Sequence, residues 1–590
     1  MVAAAIAALT AACGDRKLSA SGSPDSGDGS VDDAAPADTA IDARPGDGGV
    51  DLVTPEASDA SGSGIGTGCS ALVTGNQLTQ GTCAKDQLCL VPAAGAPGGY
   101  CTAACDVGTC PGDSTCVPTG GGSMFCLASC ASASDCRDGY ECQPGGGGAK
   151  VCAPAGSDGE TPAPIGAKPD GTACVAPEVK APGAGARTFG ANVGPISLHP
   201  GSVIEAEDFI AVYHDDVVVG FNDLSSYKIG FSTSNDNGGT FTFKGSAPGP
   251  TRAQSDPVVV ADSAGVFYMS WVGFDVDSTG MKISNMRVFV AKSSDHGATF
   301  TTAVPASDPA DYVDGQRLLD KPWISISPVD GTVYVSYMVA SYADGSTTIK
   351  MTRSRDKAAS FETPSITLNG NRDAGRNLAQ HVVDVAGNVH AVWFEGDTDK
   401  EMFGGPNNAV YYTRWPAGAA TVIRDLKVTG TGDSVTYEDP SIAVLGARVF
   451  VGYISGTPKG DWDVKVVASL DGGANFGAGV TVNDDGTPCA THFHHQIAVD
   501  DAGRVHAVWF DNRYKTGNVM YARSADNGAT WSPNEFVNDQ GFEFATARDQ
   551  TNWLGDYLGL TVSGKTIYCA WTDSRRQNAS HIYFAKGTLP

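Results

Sequence analysis

Histidines gather most densely in the run Cys489-Ala490-Thr491-His492-Phe493-His494-His495. In an extended strand side chains alternate between faces, so His492 and His494 share one face and His495 points away. Two imidazoles on one face begin a zinc or copper site, which Asp439 or Asp556 could complete. The structural alternative is that His494 and His495 fill the slot that His381 or Pro440 holds elsewhere in the chain. A second element couples an acid to an arginine, in Asp511-Asn512-Arg513 and Asp573-Ser574-Arg575. Its repetition points to salt bridges that fix loops. Cys569, inside Thr566-Ile567-Tyr568-Cys569-Ala570-Trp571, reads as a small buried apolar group in a strand. Pairings of Cys569 with Cys489, or of Cys174 with Cys489, remain open, and no cysteine and histidine form a nucleophilic arrangement.

The elements that hold these residues belong to a chain of 590 residues, long enough for two or more folded regions. Asp and Glu number 66 against 39 Lys and Arg, a formal charge of −27 that repels phosphate backbones and argues against nucleic acid as a partner. Twelve of the 16 cysteines lie between Cys69 and Cys152, a density that signals disulfides and an oxidising compartment. Residues 1–13 begin almost wholly apolar and end in Thr10-Ala11-Ala12-Cys13, which resembles a bacterial lipobox and implies acylation of Cys13. The alternative is an ordinary cleaved signal peptide. Either way the expectation is export, with a lipid anchor at the outer membrane or cell surface as the only membrane attachment.

Residues 14–68 are Ser, Asp, Ala, Gly and Pro with few large apolar side chains, the composition of a solvated tether. Residues 69–152 carry three cysteine units, opened by Cys69, Cys105 and Cys130. Five residues separate Cys83 from Cys89, Cys110 from Cys116 and Cys136 from Cys142; the units close with Cys101, Cys126 and Cys152. Four cysteines per unit imply two disulfides in each, and four cysteines allow three pairings. Zinc is the rival, but the gaps lack the paired CxxC and histidine ligands of structural zinc sites. The units also resemble small cysteine-rich repeats of bacterial surface lipoproteins. A Pro/Gly/Ala-rich bridge occupies 153–187.

Residues 188–590 repeat one unit. Ser524-Ala525-Asp526-Asn527-Gly528-Ala529-Thr530-Trp531 recurs around Asp236 and Asp295, as a near match around Asp471, and in decayed form around Asp356. Gly can take φ > 0, while Asp and Ser/Thr side chains satisfy the backbone of a turn. Short β-rich runs flank each copy, such as Arg504–Asp511 and Val519–Arg523, at a period above forty residues. The S-x-D-x-G-x-T-W/F pattern resembles the Asp box of the sialidase-like (BNR repeat) propeller family. That likeness, with the repeat count, predicts an all-β chain with a seven-bladed propeller; six blades is the alternative, because sialidases have six. The last repeat stops after its third strand, so the closing outer strand should come from Thr188 to Leu198.

The resemblance implies that the boxes lie on one face of the disc. The ligand face would then carry Asp256, Asp320 with Trp323, His381, Asp439, His495 and Asp556, together with Asp511 and Asp573 from loops. Crowded carboxylates are costly without a cation, so calcium is the cofactor this mouth suggests. If the chain is an enzyme, the likeness implies an exo-α-sialidase or related glycosidase, with arginines drawn from Arg513, Arg575, Arg317 and Arg376, and Asp320 and Tyr557 as acid/base and nucleophile. The Phe/Tyr-Arg-Ile-Pro motif of sialidases is missing near Thr188-Phe189-Gly190-Ala191. The preferred expectation is a surface protein that binds an extracellular glycan or protein ligand without turnover.

Overall fold

The computed structural model describes residues 188–590 outside 278–282, 343–345, 371–374, 397–407, 420, 431–432, 434, 436–438, 458–459, 486–489, 515, 543–553, 577–578 and 590. Before residue 188 it describes 88–90, 100–102, 110, 114–119, 123–136, 140–144 and 150–154. Cys13, the tether, the bridge and Cys69, Cys83, Cys105, Cys174 and Cys489 therefore lie outside the described residues.

Seven antiparallel sheets follow one another along the chain. Blade 1 runs outward through Glu205–Tyr213, Asp216–Asp223, Lys228–Ser234 and Thr242–Ser246. The innermost strands of blades 2 to 6 are Ala253–Ala261, Arg317–Ile326, Gly375–Val383, Ser441–Leu445 and His492–Val499. Blade 7 has Gly559–Ser563, Thr566–Asp573 and His581–Thr588, and its fourth strand comes from the other end of the domain. Phe189 bridges to Gly587 and Val193 to Phe584, both antiparallel. The backbone N–H groups of Gly190 and Ile196 donate to the carbonyls of Lys586 and Ile582 at 2.9 and 2.8 Å. The fold is thus all-β with seven blades, closed by the start of the domain.

Each blade is buried on both faces, which is why its second strand reads as a nearly continuous apolar run. Trp271, Trp393, Trp509 and Trp571 occupy equivalent positions on the second strands of blades 2, 4, 6 and 7, and all are fully buried. A buried indole N–H needs an acceptor. Three of them find it two residues on, at Glu395 (3.3 Å), Asp511 (2.9 Å) and Asp573 (3.0 Å). Cys569 carries a free, buried thiol beside Trp571, packed as a small apolar side chain.

All five S-x-D turns adopt one geometry. In the turn at Asp526, Ser524 Oγ donates to Asp526 Oδ1 at 2.8 Å, and Gly528 N–H donates to Ser524 Oγ at 2.8 Å. Thr530 N–H and Oγ1–H reach the two Asp526 oxygens at 2.9 and 2.6 Å. Asp236, Asp295, Asp356 and Asp471 repeat the serine–aspartate bond at 2.6 to 2.7 Å. In the cysteine-rich region Cys130 pairs with Cys142 and Cys136 with Cys152, so the third unit links first to third and second to fourth. Cys110–Cys126 repeats the second-to-fourth link in the middle unit. For these six cysteines the zinc alternative falls. Cys89 and Cys101, and Cys116 and Cys126, stand opposite each other in two-stranded ladders.

Two expectations follow from the turns. Gly528 has φ +84°, and an added β-carbon would meet only Val466 at an ordinary 3.8 Å, so Gly528→Ala should cost little beyond the left-handed backbone term, about 1–2 kcal/mol in urea unfolding. Gly473, at φ +84°, adds a collision with the Tyr412 hydroxyl, so Gly473→Ala should cost more. The turn aspartates are acidified, Asp526 and Asp471 to about 2 by hydrogen bonds from their own turns. A folded-state pKa below the unfolded value of about 3.9 stabilises the fold above pH 4 and is lost as pH falls toward 2. Thermal scans at stepped pH should therefore show Tm dropping across that interval, and Asp526→Ala should shrink the drop.

Candidate functional site

The inner strands meet the central channel through a shared irregularity. Register shifts at Ala206/Phe209, Ser255/Val258, Asp320/Trp323, Asn377/Gln380 and Phe493/Gln496 mark a β-bulge in blades 1, 2, 3, 4 and 6. The first bulged residue is left-handed in each: Glu207 (φ 54°), Asp256 (59°), Lys321 (45°), Leu378 (59°) and His494 (45°). Bulges re-aim side chains, and non-glycine residues hold this conformation only where their surroundings enforce it.

Here the surroundings are ionic. Lys321 Nζ lies 3.0 Å from Glu207 Oε1 and 3.3 Å from Asp256 Oδ1, and it also pairs with Asp556. Carboxyl groups from blades 1, 2 and 7 thus converge on the ammonium of blade 3. Burial works against that charge, but Asp256, Asp556 and Glu207 hold the ammonium well above the usual lysine range. Burial pushes the carboxyls of Glu207 and Asp320 well up. Asp320 is fully buried with neither carboxylate oxygen hydrogen-bonded. Asp208, the second residue of the blade 1 bulge, is raised by burial to about 8. Tyr557 lies under Lys321, 5.9 Å from nitrogen to ring centroid, and its hydroxyl donates to Pro257 O at 3.1 Å. Burial and the nearby Glu207 keep its phenol well above the ordinary range.

The channel cluster therefore brings together Asp256, Asp320, Asp556 and Tyr557 with Lys321, from the same Asp320–Trp323 segment, and with Glu207, which the sequence reading did not place there. The signal for Glu207 was positional: Glu207-Asp208 occupies the same register as Asp256-Pro257 and Lys321-Pro322. The remaining residues expected to line an open mouth are buried. Trp323 packs edge-on against Phe209 at 4.8 Å, and His381 bonds Ser325 Oγ at 2.7 Å and Trp323 O at 3.1 Å. Asp439 and His495 are buried as well. Asp511 and Asp573 are fully buried acceptors for tryptophan, each neutralised by an arginine. Arg513 spans Asp511 at 2.7 Å and Asp484 at 2.6 Å; Arg575 spans Asp573 at 2.7 Å and Asp539 at 2.8 Å.

His492 and His494 have different surroundings. His492 Nε2 lies 3.3 Å from Asp511 and 3.4 Å from Asp485, with Nδ1 at Trp462 O. Although burial opposes the charge, Asp511 favours its imidazolium form. His494 sits on the bulge against the rings of Phe493 and Phe510, where its charge influences Asp556. The bulge interrupts the strand alternation that would have put both imidazoles on one face.

Arg317 and Arg376 stand apart from the channel cluster and from Arg513 and Arg575. They line one cleft of about 600 Å³ between blades 3 and 4, with Lys350, Asp311, Asn369 and a band of serine and threonine hydroxyls. It opens where Arg317 and Thr347 begin their strands, the end of the blade opposite the S-x-D turn that follows Ser354. Arg376 is braced by Glu395 at 3.2 Å and Thr347 O at 3.1 Å. Lys350 donates to Thr367 Oγ1 at 3.0 Å. Asp311 accepts from Tyr337 at 2.8 Å and from Ser365 at 2.6 Å.

No family model and no curated protein matches the chain. Among solved structures it is similar to the Hadza microbial sialidase Hz136, with a TM-score of 0.39, 14% identity, and coverage of 63% of this chain and 73% of that one. An ulvan lyase of polysaccharide lyase family PL25 gives a TM-score of 0.43 at 11% identity, covering 67% and 93%. The α-L-arabinanase of Penicillium chrysogenum gives 0.38 at 12% identity, covering 56% and 92%.

Removing Lys321 would leave several buried carboxyl groups facing one another. Lys321→Met should cost about 3–5 kcal/mol in urea unfolding, the penalty of an uncompensated buried charge, with part recovered in Lys321→Met/Asp556→Asn.

Proposed function

We propose that this chain is an exported, lipid-anchored surface protein whose propeller binds an acidic glycan, without turnover, in the cleft between blades 3 and 4. The observation that supports this is a local reversal of charge. In a chain of formal charge −27, Arg317, Lys350 and Arg376 border one cleft. Guanidinium groups suit carboxylate or sulfate oxygens, and the hydroxyls and Asn369 offer donors and acceptors to sugar hydroxyls. Among the described lining residues Asp311 is the single carboxylate, and it is engaged by Tyr337, by Ser365 and, at 4.0 Å, by Lys350. Glycoside hydrolysis in most families needs two groups flanking the bond.

The second reading is an exo-α-sialidase or related glycosidase working in the channel. It draws on Asp320, whose burial favours the protonated form that a general acid needs, and on Tyr557. Against it, Arg513 and Arg575 are each committed to carboxylates, and Lys321 in the channel is already paired with Glu207, Asp256 and Asp556.

The full chain should retain uronate-containing or sulfated glycans on an array, in preference to neutral ones, with retention falling as salt rises. Arg317→Ala or Lys350→Ala should weaken that binding at least tenfold, while a fluorogenic sialoside is left intact. Equal binding of neutral and acidic glycans, or unchanged binding in both variants, refutes the cleft. Sialoside turnover abolished by Asp320→Asn would install the hydrolase reading instead.

A further inference from the structure

The seam between blade 7 and blade 1 carries a second polar cluster, remote in sequence from the runs that suggested chemistry. His199 lies in the turn that leads from the closing segment into blade 1. Its Nε2 is 3.1 Å from Asp223 Oδ2, at the end of the second strand of blade 1. One donor atom from each of His199, Glu205 and Asp223 lies within 4.8 Å of the other two.

The hydrogen-bond inventory around these three residues is short by one positive charge. His199 Nδ1 faces the carbonyl of Pro200 at 3.2 Å, and a carbonyl can only accept, so the tautomer that satisfies this contact is the one protonated at Nδ1. In the neutral imidazole Nε2 then presents a lone pair to a carboxylate oxygen. Two acceptors held 3.1 Å apart need a proton or a cation between them. Glu205 is fully buried, and its Oε1 has no hydrogen-bond partner. Its other oxygen accepts from Ser197 Oγ at 2.9 Å and from His581 Nδ1 at 2.5 Å, which orients the carboxylate.

The supporting shell is that of a metal site. A histidine ligand usually donates its far N–H to a carbonyl or carboxylate, and ligating carboxylates are themselves hydrogen-bonded. His199 does the first through Pro200, and its ring is pinned by stacking on Phe243, centroids 4.5 Å apart. Asp223 Oδ1 accepts from the backbone of Ser225 at 3.0 Å, and its Oδ2 accepts from Ser226 Oγ at 2.5 Å. Metal–ligand bonds of about 2.0–2.2 Å set tetrahedral donors roughly 3.3–3.6 Å apart, so the 3.1 Å between His199 and Asp223 needs to widen by only a few tenths of an ångström to admit an ion.

We propose that His199, Glu205 and Asp223 bind a divalent transition-metal ion, of which Zn²⁺ best suits one nitrogen and two carboxylate ligands, and that this ion clips the propeller shut. The closing segment supplies His199 and blade 1 supplies both acids. Blade 7 supplies His581, which holds Glu205 in place. The ion thus ties together the three pieces of chain that meet at the seam. The side chain of His199 is 16% exposed, which leaves an approach from solvent.

The test uses tag-free full-length protein, stripped with chelator and titrated with ZnCl₂ at pH 7.5 by calorimetry, with metal content measured by mass spectrometry. One Zn²⁺ per chain is expected, with a Tm rise of about 3 °C at saturation. His199→Ala and Glu205→Gln should each weaken binding at least tenfold and abolish the rise. Should a variant fail to fold, Co²⁺ absorption of the wild-type protein decides: d–d bands displaced by Zn²⁺ support the site. No Zn²⁺ binding by the wild type, Ca²⁺ bound in preference to Zn²⁺, or undiminished binding in both variants overturns it. The first outcome would make His199–Asp223 an imidazolium–carboxylate pair.

Discussion

A ring of sheets has to close, and everything else in this domain depends on how it does so. The last blade has three strands of its own from the C-terminal end, leaving an edge of unpaired N–H and C=O groups. Residues from 188 onward lie along that edge and pair with His581–Thr588, so both ends of the domain share one sheet. The closing segment is fastened to blade 6 as well, through Thr188 to Glu535 at 2.8 Å and Asn192 to Val537 O at 3.1 Å. A strand supplied from the opposite end of the sequence removes the exposed edge that invites pairing with another chain.

Closure forces acidic side chains into the interior, and the protein meets the cost blade by blade. The large aromatic side chains that fill the space between sheets bring indole N–H groups with them. A carboxylate two residues later accepts each bond in blades 4, 6 and 7, and an arginine then neutralises the carboxylate. A buried ion pair is tolerable only when its remaining donors and acceptors are satisfied, and Arg513 and Arg575 accordingly reach further to asparagine side chains. At the channel the same problem is met once, by Lys321 among the carboxyls of four blades.

The result is a division of labour across the surface. The channel, with most of the unusual ionisable groups, is occupied by its own ion pairs. The cleft between blades 3 and 4 holds cationic side chains beside free volume. On the proposed reading, an acidic ligand is opposed by the protein's net charge and depends on Arg317, Lys350 and Arg376 at the cleft.

The repeated turn with its Asp-box likeness, the alternation of short apolar strands and the unfinished last repeat pointed, as sequence, to an all-β propeller closed by Thr188 to Leu198, with seven blades preferred over six; the structure has seven. These signals are local: a glycine at φ > 0, an aspartate capping its own loop and a period of two are encoded within about ten residues. The repeated Asp-x-Arg element likewise identified its own salt bridges. Which side chains face the channel, and whether they are open to solvent, was decided by tertiary structure. A bulge of one residue re-aims Glu207, Asp256, Lys321 and His494, and nothing in Phe493-His494-His495 announces it. Lys321 meets Asp556 across 235 residues, and His581 meets Glu205 across 376, because ring closure makes neighbours of the two ends. Such pairs leave no periodic trace in sequence, since each partner's environment is built by the other.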